Sequence, residues 1–294
     1  MQEFSSADIA AADAALDRLD TSAIHHAFDV QGCRMVWREW GRGPALVLIH
    51  GGHGSWMHWA KNIDVLAEHF RVLIPDMPGF GDSEDFDMPP YDPDRVERLL
   101  ETLTQGIARL VGTAPLYLTG FSFGGAIAGA LAPRLPTLQR LALLGSAGHG
   151  GPRRDREPLS DWRAVTGQER EQAFAQNLRA FMLSFRHTVN ALALQIHARS
   201  CEKTRFRSKS ISRRSSLLDV LKDFDKPILM AWGEDDVTAV PADAGRMLAQ
   251  GHPSREWHVI ADSGHWVQFE QADAVNALLI RWFAPPAAVG ARSA

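Results

Sequence analysis

The fold is decided by residues 115–132, which read PLYLTGFSFGGAIAGALA. The first six residues form a compact apolar run suited to a buried β-strand, and the residues after Phe123 favour a helix. A serine between two glycines, Gly120 and Gly124, can occupy the sharp strand-to-helix turn that lifts a hydroxyl above a sheet. We therefore predict that Ser122 is a nucleophile, placed beside the positive end of a helix dipole.

Short apolar runs alternate with helical patterns on both sides of this motif, which is typical of a mostly parallel sheet flanked by helices. The pattern predicts an α/β fold with eight strands, at 24–30, 34–40, 45–50, 71–75, 115–120, 138–144, 227–232 and 255–260. It predicts helices between them at 59–69, 96–111, 124–132, 241–250 and 266–283. The first two strands are separated by Gln31-Gly32 and should form a hairpin.

The alternation breaks between Gly148 and Ser216, where a turn-rich GHGGPRRDREP precedes helical spacing without a strand pattern. We predict that residues 149–216 form a helical cap over the site, inserted into a core made of 24–148 and 217–286. An N-terminal helix should occupy 1–23, with Ser6 as a candidate N-cap, and a flexible tail should occupy 287–294. The apolar positions that suggest the cap helices are Phe174, Leu178, Phe181, Phe185, Val189, Leu192 and Ile196.

Composition excludes several classes of protein. The net charge of −4 gives no sign of nucleic-acid binding, and the two cysteines, Cys33 and Cys201, are too few for a disulfide framework. The first twenty residues are acidic and lack the pattern of a signal peptide, and no apolar run is long enough to cross a bilayer. We expect a cytoplasmic enzyme for a small molecule that binds neither nucleic acid nor membrane, uses no cofactor and no metal, and could form a homodimer.

One basic stretch, KTRFRSKSISRR at 203–214, carries six cations and no acid. We interpret it as a solvated face near the domain junction. A patch for an anionic substrate or a membrane surface is the alternative, and nucleic acid is disfavoured because Phe206 is its only aromatic residue.

Two further residues complete a predicted catalytic triad. Asp236 follows the strand PILMAW, and His265 follows the strand before the final helix. The carboxyl ends of parallel strands open onto one crevice, so both side chains should meet Ser122 there. The order serine, acid, histidine allows the imidazole to take the serine proton while the carboxylate holds its tautomer. Asp235 is the alternative acid.

The loop His50-Gly51-Gly52-His53-Gly54 follows the strand ALVLI directly. Its glycines let the backbone turn beneath the nucleophile, so we assign the oxyanion donors to the amides of Gly52 and Phe123. His50 should be a structural hydrogen bonder, whereas His53 either lines the pocket or is exposed. Asp76, before the turn-forming Pro78, should tie its loop together rather than act as an acid.

Aromatic residues and His53 supply the predicted substrate pocket, although the cap aromatics could equally be ordinary core. The predicted lining is His53, Trp56, Phe121, Phe181, Phe185 and Trp266.

Five motifs in this order resemble the α/β-hydrolase superfamily: the HGG loop, D-x-P-G-x-G-x-S, G-x-S-x-G-G, W-G-x-x-D and G-H-W. The resemblance covers about residues 24–283 and implies a cofactor-free serine hydrolase.

Residues 265–270, HWVQFE, are similar to the matching stretch of meta-cleavage-product hydrolases, which cut carbon–carbon bonds in dienoates. Those enzymes usually carry asparagine where this chain has Phe121, and a G-P-G element where it has His53-Gly54-Ser55. Haloalkane dehalogenases and epoxide hydrolases use an aspartate nucleophile, so Ser122 argues against both.

The sequence therefore predicts hydrolysis of a small, largely apolar ester or lactone through an acyl-enzyme on Ser122. Carbon–carbon hydrolysis of the meta-cleavage type is the first alternative. A ligand receptor built on the same fold, with slow turnover, is the alternative from another class.

Overall fold

The computed structural model describes residues 4–212 and 217–284, and it is built around one eight-stranded sheet. The strand order is β1-β2-β4-β3-β5-β6-β7-β8, and the strands from β4 to β8 across the sheet pair in parallel. Only the β1–β2 and β2–β4 pairs are antiparallel. The predicted α/β fold with an eight-stranded, mostly parallel sheet is confirmed.

The observed strands agree with the predicted ones to within a residue or so at each end. They are β1 Ile24–Val30, β2 Cys33–Trp40, β3 Ala45–Ile49, β4 Arg71–Asp76, β5 Leu116–Phe121, β6 Leu138–Leu144, β7 Ile228–Gly233 and β8 Arg255–Ile260. The α-helices are α1 Ser6–Ser22, α2 Ile63–Ala67, α3 Arg95–Val111, α4 Phe123–Leu131, α5 Gly167–Asn177, α6 Ala191–Glu202, α7 Lys209–Ser212, α8 Leu217–Val220, α9 Pro241–Ala249, α10 Val267–Glu270 and α11 Ala272–Phe283.

Two predicted helices are each broken in the structure. In place of one helix over 59–69, the chain forms a 3₁₀ turn at Trp56–Trp59 and then the short helix α2. The stretch 266–283 divides at Gln271 into α10 and α11. Hydrophobic periodicity continues across such breaks because both pieces face the same core, so it cannot reveal them.

Each face of the sheet is covered by its own apolar layer, because successive strand residues point to opposite faces. Leu46 and Leu48 of β3 belong to the layer that contains α1, α2 and α11. Val47 and Ile49 belong to the layer that contains α3, α4 and α9. Double coverage explains why central strands such as β3 and β7 are continuous apolar runs rather than alternating ones.

The connection between β6 and β7 holds α5, a π-helical turn at Leu178–Met182, α6, α7 and α8. Its described part contains no strand, as the sequence predicted. Phe174, Leu178, Val189 and Ile196 are buried there, whereas Phe185 is 81% exposed. The domain boundaries at 149 and 216 stay a prediction, and residues 213–216 and 287–294 lie outside the described residues.

The N-terminal helix begins one residue earlier than expected. Ser5, not Ser6, is the N-cap, and it forms a capping box with Asp8 in which each side chain bonds the other residue's backbone amide. Leu16 and Leu19 bury the apolar face of α1 against the core. Arg199 of α6 forms an ion pair with Asp13 of α1 at 2.7 Å.

The basic stretch is anchored to the core rather than solvated along its whole length. Lys203 pairs with Asp82 at 2.6 Å, and Arg205 donates to the backbone oxygen of Ser83. Phe206 is buried and stacks on Phe80 with ring centroids 5.5 Å apart. Arg213 and Arg214 fall outside the described residues. None of the helices in the described ranges is long and apolar enough to span a membrane.

Candidate active site

Ser122 occupies the predicted sharp turn between β5 and α4. Its backbone is strained, with φ 55° and ψ −119°, a conformation that non-glycine residues rarely adopt. A Cβ atom on Gly120 would lie 2.2 Å from the backbone oxygen of Gly124, and one on Gly124 would lie 2.2 Å from that of His50. Both glycines are therefore required for the close approach that exposes the serine hydroxyl.

The structure brings the three predicted triad side chains together at the carboxyl ends of β5, β7 and β8. The Nε2 atom of His265 lies 2.8 Å from the Oγ of Ser122. Its Nδ1 atom lies 3.0 Å and 3.1 Å from the two carboxylate oxygens of Asp236. His265 and Asp236 are almost completely buried. This geometry suits proton transfer from Ser122 to His265, with Asp236 fixing the ring.

Asp236 is held as a carboxylate although it is enclosed. Burial by itself would raise the pKa of Asp236, but the charge and hydrogen bond of His265 and two hydrogen bonds from Thr238 lower it below its ordinary value of 3.8. The amide and hydroxyl of Thr238 donate to Oδ1 at 2.7 Å and 2.8 Å. The carboxylate is therefore ionised and fixed in place at neutral pH.

The alternative acid, Asp235, points elsewhere. Its carboxylate accepts a hydrogen bond from the Ser184 hydroxyl at 2.6 Å and faces the guanidinium of Arg186 at 3.2 Å. The side chain thus connects the β7 loop to the segment after α5 instead of facing His265. Of the two adjacent aspartates, the structure places Asp236 beside the imidazole.

Gly52 and Phe123, the predicted oxyanion donors, line the same cavity as Ser122. Phe123 is the first residue of α4, so its amide is among the first-turn N–H groups that a helix leaves without an internal acceptor. The Gly52 loop follows β3, whose neighbours β4 and β5 lie on opposite sides of it. This reversal of strand order creates the crevice in which α/β sheets bind ligands.

His50 and Asp76 have the structural positions predicted for them. His50 accepts the Met77 amide through Nε2 at 3.1 Å, so its Nδ1 carries the proton and donates to the Gly51 oxygen at 2.8 Å. Asp76 accepts the amides of Trp56 and Asp82 at 2.8 Å and 3.0 Å and the guanidinium of Arg38 at 3.1 Å. Together they hold the oxyanion loop against the loop that follows β4.

A cavity of about 850 Å³ opens above Ser122 and lies within the size range of small-molecule sites. The insertion between β6 and β7 provides much of its wall, including Leu159, Trp162, Phe181 and Met182. The ring of Phe181 meets that of His265 edge to face, with centroids 5.1 Å apart. The cavity is also lined by five exposed cationic residues, Arg153, Arg154, Arg156, Arg163 and Lys209.

Only two of the six residues predicted to line the pocket, His53 and Phe181, do so. Trp56 and Phe121 are buried in the core, and Phe121 packs on His58 and His265 with centroids 5.4 Å and 5.1 Å apart. The predicted pocket positions of Trp266 and Phe185 are wrong as well. Trp266 stacks on Phe269 with centroids 4.2 Å apart, and Phe185 projects into solvent. Aromatic composition does not distinguish core from pocket, which explains the errors.

Two supporting residues were missed by sequence reasoning. Thr238 stands two positions after Asp236, a spacing at which an aspartate commonly bonds the following backbone, and this signal was available. Glu270 accepts the amides of Gly264 and Ser184 at 2.7 Å and 2.8 Å, so it ties the His265 loop to the insertion. Glu270 gave no such signal, because Ser184 is 86 residues away and no local turn pattern links Glu270 to Gly264, six residues before it.

Three more histidines line the cavity: His53, His58 and His197. Burial, with Arg163 and Arg207 nearby, lowers the pKa of His53 to about 4. Burial and His53 lower the pKa of His197 to about 3, and burial with neighbouring histidines lowers that of His58 well below 6.5. All three are uncharged at neutral pH.

The comparisons with known proteins agree with this site. Residues 46–278 match the model of the "Alpha/beta hydrolase family". A 2-hydroxy-6-oxononadienedioate/2-hydroxy-6-oxononatrienedioate hydrolase of Paraburkholderia phymatum is 28% identical over 271 residues, which cover 84% of this chain and 90% of the relative. The enzyme of the same name from Escherichia coli K12 is 28% identical over 276 residues, covering 86% of this chain and 92% of its own.

Solved structures share the fold at low identity. The carboxylesterase CesB from Bacillus subtilis superimposes with a TM-score of 0.72 at 16% identity, covering 94% of this chain and 96% of its own. The 2-hydroxy-6-oxo-6-phenylhexa-2,4-dienoate hydrolase from Rhodococcus sp. strain RHA1 gives 0.69 at 24% identity, covering 89% and 98%. Ester and carbon–carbon hydrolases thus both lie among the structures that this chain resembles.

Proposed function

We propose that this chain, which belongs to the alpha/beta hydrolase family, hydrolyses a small carboxylic ester or lactone through an acyl-enzyme on Ser122. The observation that carries the proposal is the hydrogen-bonded chain from Ser122 through His265 to Asp236 at the base of the cavity. Residues 149–216 would then act as the cap that separates this chemistry from bulk water.

In this mechanism the Oγ of Ser122 attacks the carbonyl carbon while the Nε2 of His265 takes its proton. The amides of Gly52 and Phe123 stabilise the oxyanion that forms. Collapse of the intermediate breaks the ester bond, and His265 returns the proton to the leaving alcohol. Water then attacks the acyl-enzyme with His265 again as base, which releases the acid and restores the Ser122 hydroxyl.

Ester cleavage is favoured over carbon–carbon cleavage by the charges near the nucleophile. A carbon leaving group must be stabilised as it departs, and a cation beside the scissile bond would serve that purpose. The three cavity histidines outside the triad, His53, His58 and His197, are uncharged at neutral pH, and the cations that line the cavity are solvent-exposed. An alkoxide or phenolate leaving group needs only the proton that His265 carries.

Carbon–carbon hydrolysis of a dienoate is the second candidate, and a specific observation supports it. The cationic residues of the cavity wall would attract a carboxylate, which a dienoate carries and a simple ester lacks. The relatives named above point the same way.

A kinetic comparison on one enzyme preparation tests the choice. Measured kcat/KM for 4-nitrophenyl butyrate and for a γ-lactone should exceed that for a 2-hydroxy-6-oxo-dienoate, with the Ser122→Ala variant as the blank. Faster consumption of the dienoate would instead establish the second candidate. A single burst without steady-state turnover on every substrate would favour the receptor alternative over both.

A further inference from the structure

The inner wall of the cavity carries hydrogen-bonding groups that the triad does not use. His58 lies on the 3₁₀ turn after the oxyanion loop, and His197 lies on α6 of the insertion. Both are at least nine-tenths buried, at 2% and 9% exposed. The hydroxyls of Ser55 and Ser200 are 2.9 Å apart and join these two elements, so they fix His58 and His197 relative to each other.

The protonation of His58 follows from its one internal partner. The Gly51 amide donates to its Nδ1 at 3.2 Å, so the proton of the neutral ring is on Nε2. That Nε2–H group has no acceptor among residues 4–212 and 217–284. The group is not enclosed by protein but faces the cavity, so a molecule bound there can accept its hydrogen bond.

The ring nitrogens of His197 also lack a well-aligned hydrogen-bond partner among the described residues. Its one close polar neighbour in the described chain is the Cys201 sulfur, 3.8 Å from Nδ1 and 3.7 Å from Nε2. The N–H bond of one ring nitrogen and the lone pair of the other diverge, so an atom almost equidistant from both nitrogens is aligned with neither. The Cys201 thiol also faces the backbone oxygen of His53. One donor and one acceptor of the His197 ring are therefore left for a ligand.

We propose that His58 and His197 form a specificity subsite that binds an uncharged hydroxyl or carbonyl group carried near the scissile bond of the substrate. The subsite offers one fixed donor from His58 and a donor–acceptor pair from His197. Because neither ring is charged at neutral pH, it discriminates by hydrogen bonding rather than by charge. A site built to pair with such a group rejects the analogue that lacks it, since its own polar atoms are then left unpaired.

Paired esters test this inference, which rests on the proposed function only in its choice of probe. The acyl-side pair is 4-nitrophenyl butyrate and 4-nitrophenyl 3-hydroxybutyrate, and the alcohol-side pair is phenyl butyrate and 3-hydroxyphenyl butyrate. For at least one pair, the wild-type enzyme should favour the hydroxylated ester by about tenfold in kcat/KM. His197→Phe should abolish this preference while changing kcat/KM for the plain ester much less.

One change at His58, with a matched control at another histidine, separates the roles of its two nitrogens. His58→Asn keeps an acceptor for the Gly51 amide but removes the donor at the Nε2 position, so it should lose the preference. The exposed His69→Asn is the control and should retain it. Labelling of Ser122 by a fluorophosphonate at the wild-type rate shows that each variant keeps an intact triad.

The possible failures are distinguishable. Turnover of all four esters with no hydroxyl preference, or a preference unchanged in His197→Phe and His58→Asn, overturns the subsite alone. Absence of ester turnover despite normal labelling overturns the proposed function. In that case calorimetry on Ser122→Ala decides the subsite: 3-hydroxybutyrate should bind about tenfold more tightly than butyrate, or 3-hydroxyphenol more tightly than phenol, and equal affinities within both pairs refute it.

Discussion

The triad loops and the rest of the cavity wall differ in how fully their polar groups are enclosed by protein. Around Asp236 every carboxylate contact is made inside the protein, to Thr238 and to His265. The wall instead presents five exposed cationic side chains with only one acidic residue, Asp161, among the described residues that line the cavity. Its inner histidines, His58 and His197, likewise have ring nitrogens with no well-aligned partner among residues 4–212 and 217–284.

The difference assigns separate tasks to the two regions. A site whose hydrogen bonds are already made is preorganised, and it performs the same bond-breaking step on any acyl group that reaches it. A wall that presents exposed charges and ring nitrogens to the cavity can bind a ligand through them. The reaction class should therefore depend on the strand-end loops of the core, and substrate choice on the insertion.

The largest effect is expected at the nucleophile. Ser122→Ala removes the attacking oxygen, so kcat should fall by roughly 10⁴- to 10⁶-fold while the urea midpoint of unfolding changes little. Labelling by a fluorophosphonate should disappear. Labelling that continued at the wild-type rate would show that the assignment of the core region is wrong.

The next effect compares the adjacent aspartates that the structure separates. Asp236→Asn should lower kcat by about 10⁴-fold, because an amide cannot balance the imidazolium and favours the wrong tautomer. Asp235→Asn should cost only a few-fold, since it weakens the contacts to Ser184 and Arg186 instead. Steady-state kinetics on both variants provide the measurement. Reversed magnitudes would require Asp235 to be the acid.

The same contrast explains what sequence reasoning could predict. Ser122 follows β5 directly, whereas Asp236 and His265 come shortly after β7 and β8, and the parallel strand order sends all three to one edge of the sheet. The pocket residues had no such constraint. Successive side chains of β5 point to opposite faces of the sheet, and the ring of Phe121 points into the core. Phe185 follows a π-helical turn, which hydrophobic periodicity does not indicate.

Charge at the cavity wall should have an intermediate effect on substrate choice. Arg154→Gln and Lys209→Gln should each raise KM for a 4-nitrophenyl hemisuccinate by about threefold, because one exposed charge contributes well under 1.4 kcal/mol to attraction of an anion. KM for neutral 4-nitrophenyl butyrate should not change. Arg246→Gln on α9, which does not line the cavity, is the control. The difference should shrink in high salt.

The smallest effect concerns the connection between the two regions. Arg199 reaches from α6 to Asp13 of α1, and α1 in turn packs on the core through Leu16 and Leu19. The ion pair is about one third exposed, 35% and 34% for the two side chains. An exposed pair of this kind contributes about 0.5 kcal/mol, so Arg199→Ala should lower the free energy of unfolding by no more than that.

The effect of Arg199→Ala on substrate choice is more informative than its effect on stability. His197 lies on the same helix as Arg199, so loosening α6 from α1 should disturb the subsite of His58 and His197 before it disturbs the triad. We expect the fluorophosphonate labelling rate to be unchanged in Arg199→Ala while the preference for a hydroxylated ester falls by about twofold, the change produced by roughly 0.4 kcal/mol. The remote pair of Arg246 and Asp243, 3.1 Å apart on α9, offers the matched control. If Arg246→Ala lowered the hydroxyl preference as much as Arg199→Ala, the α1–α6 contact would have no special part in shaping the cavity.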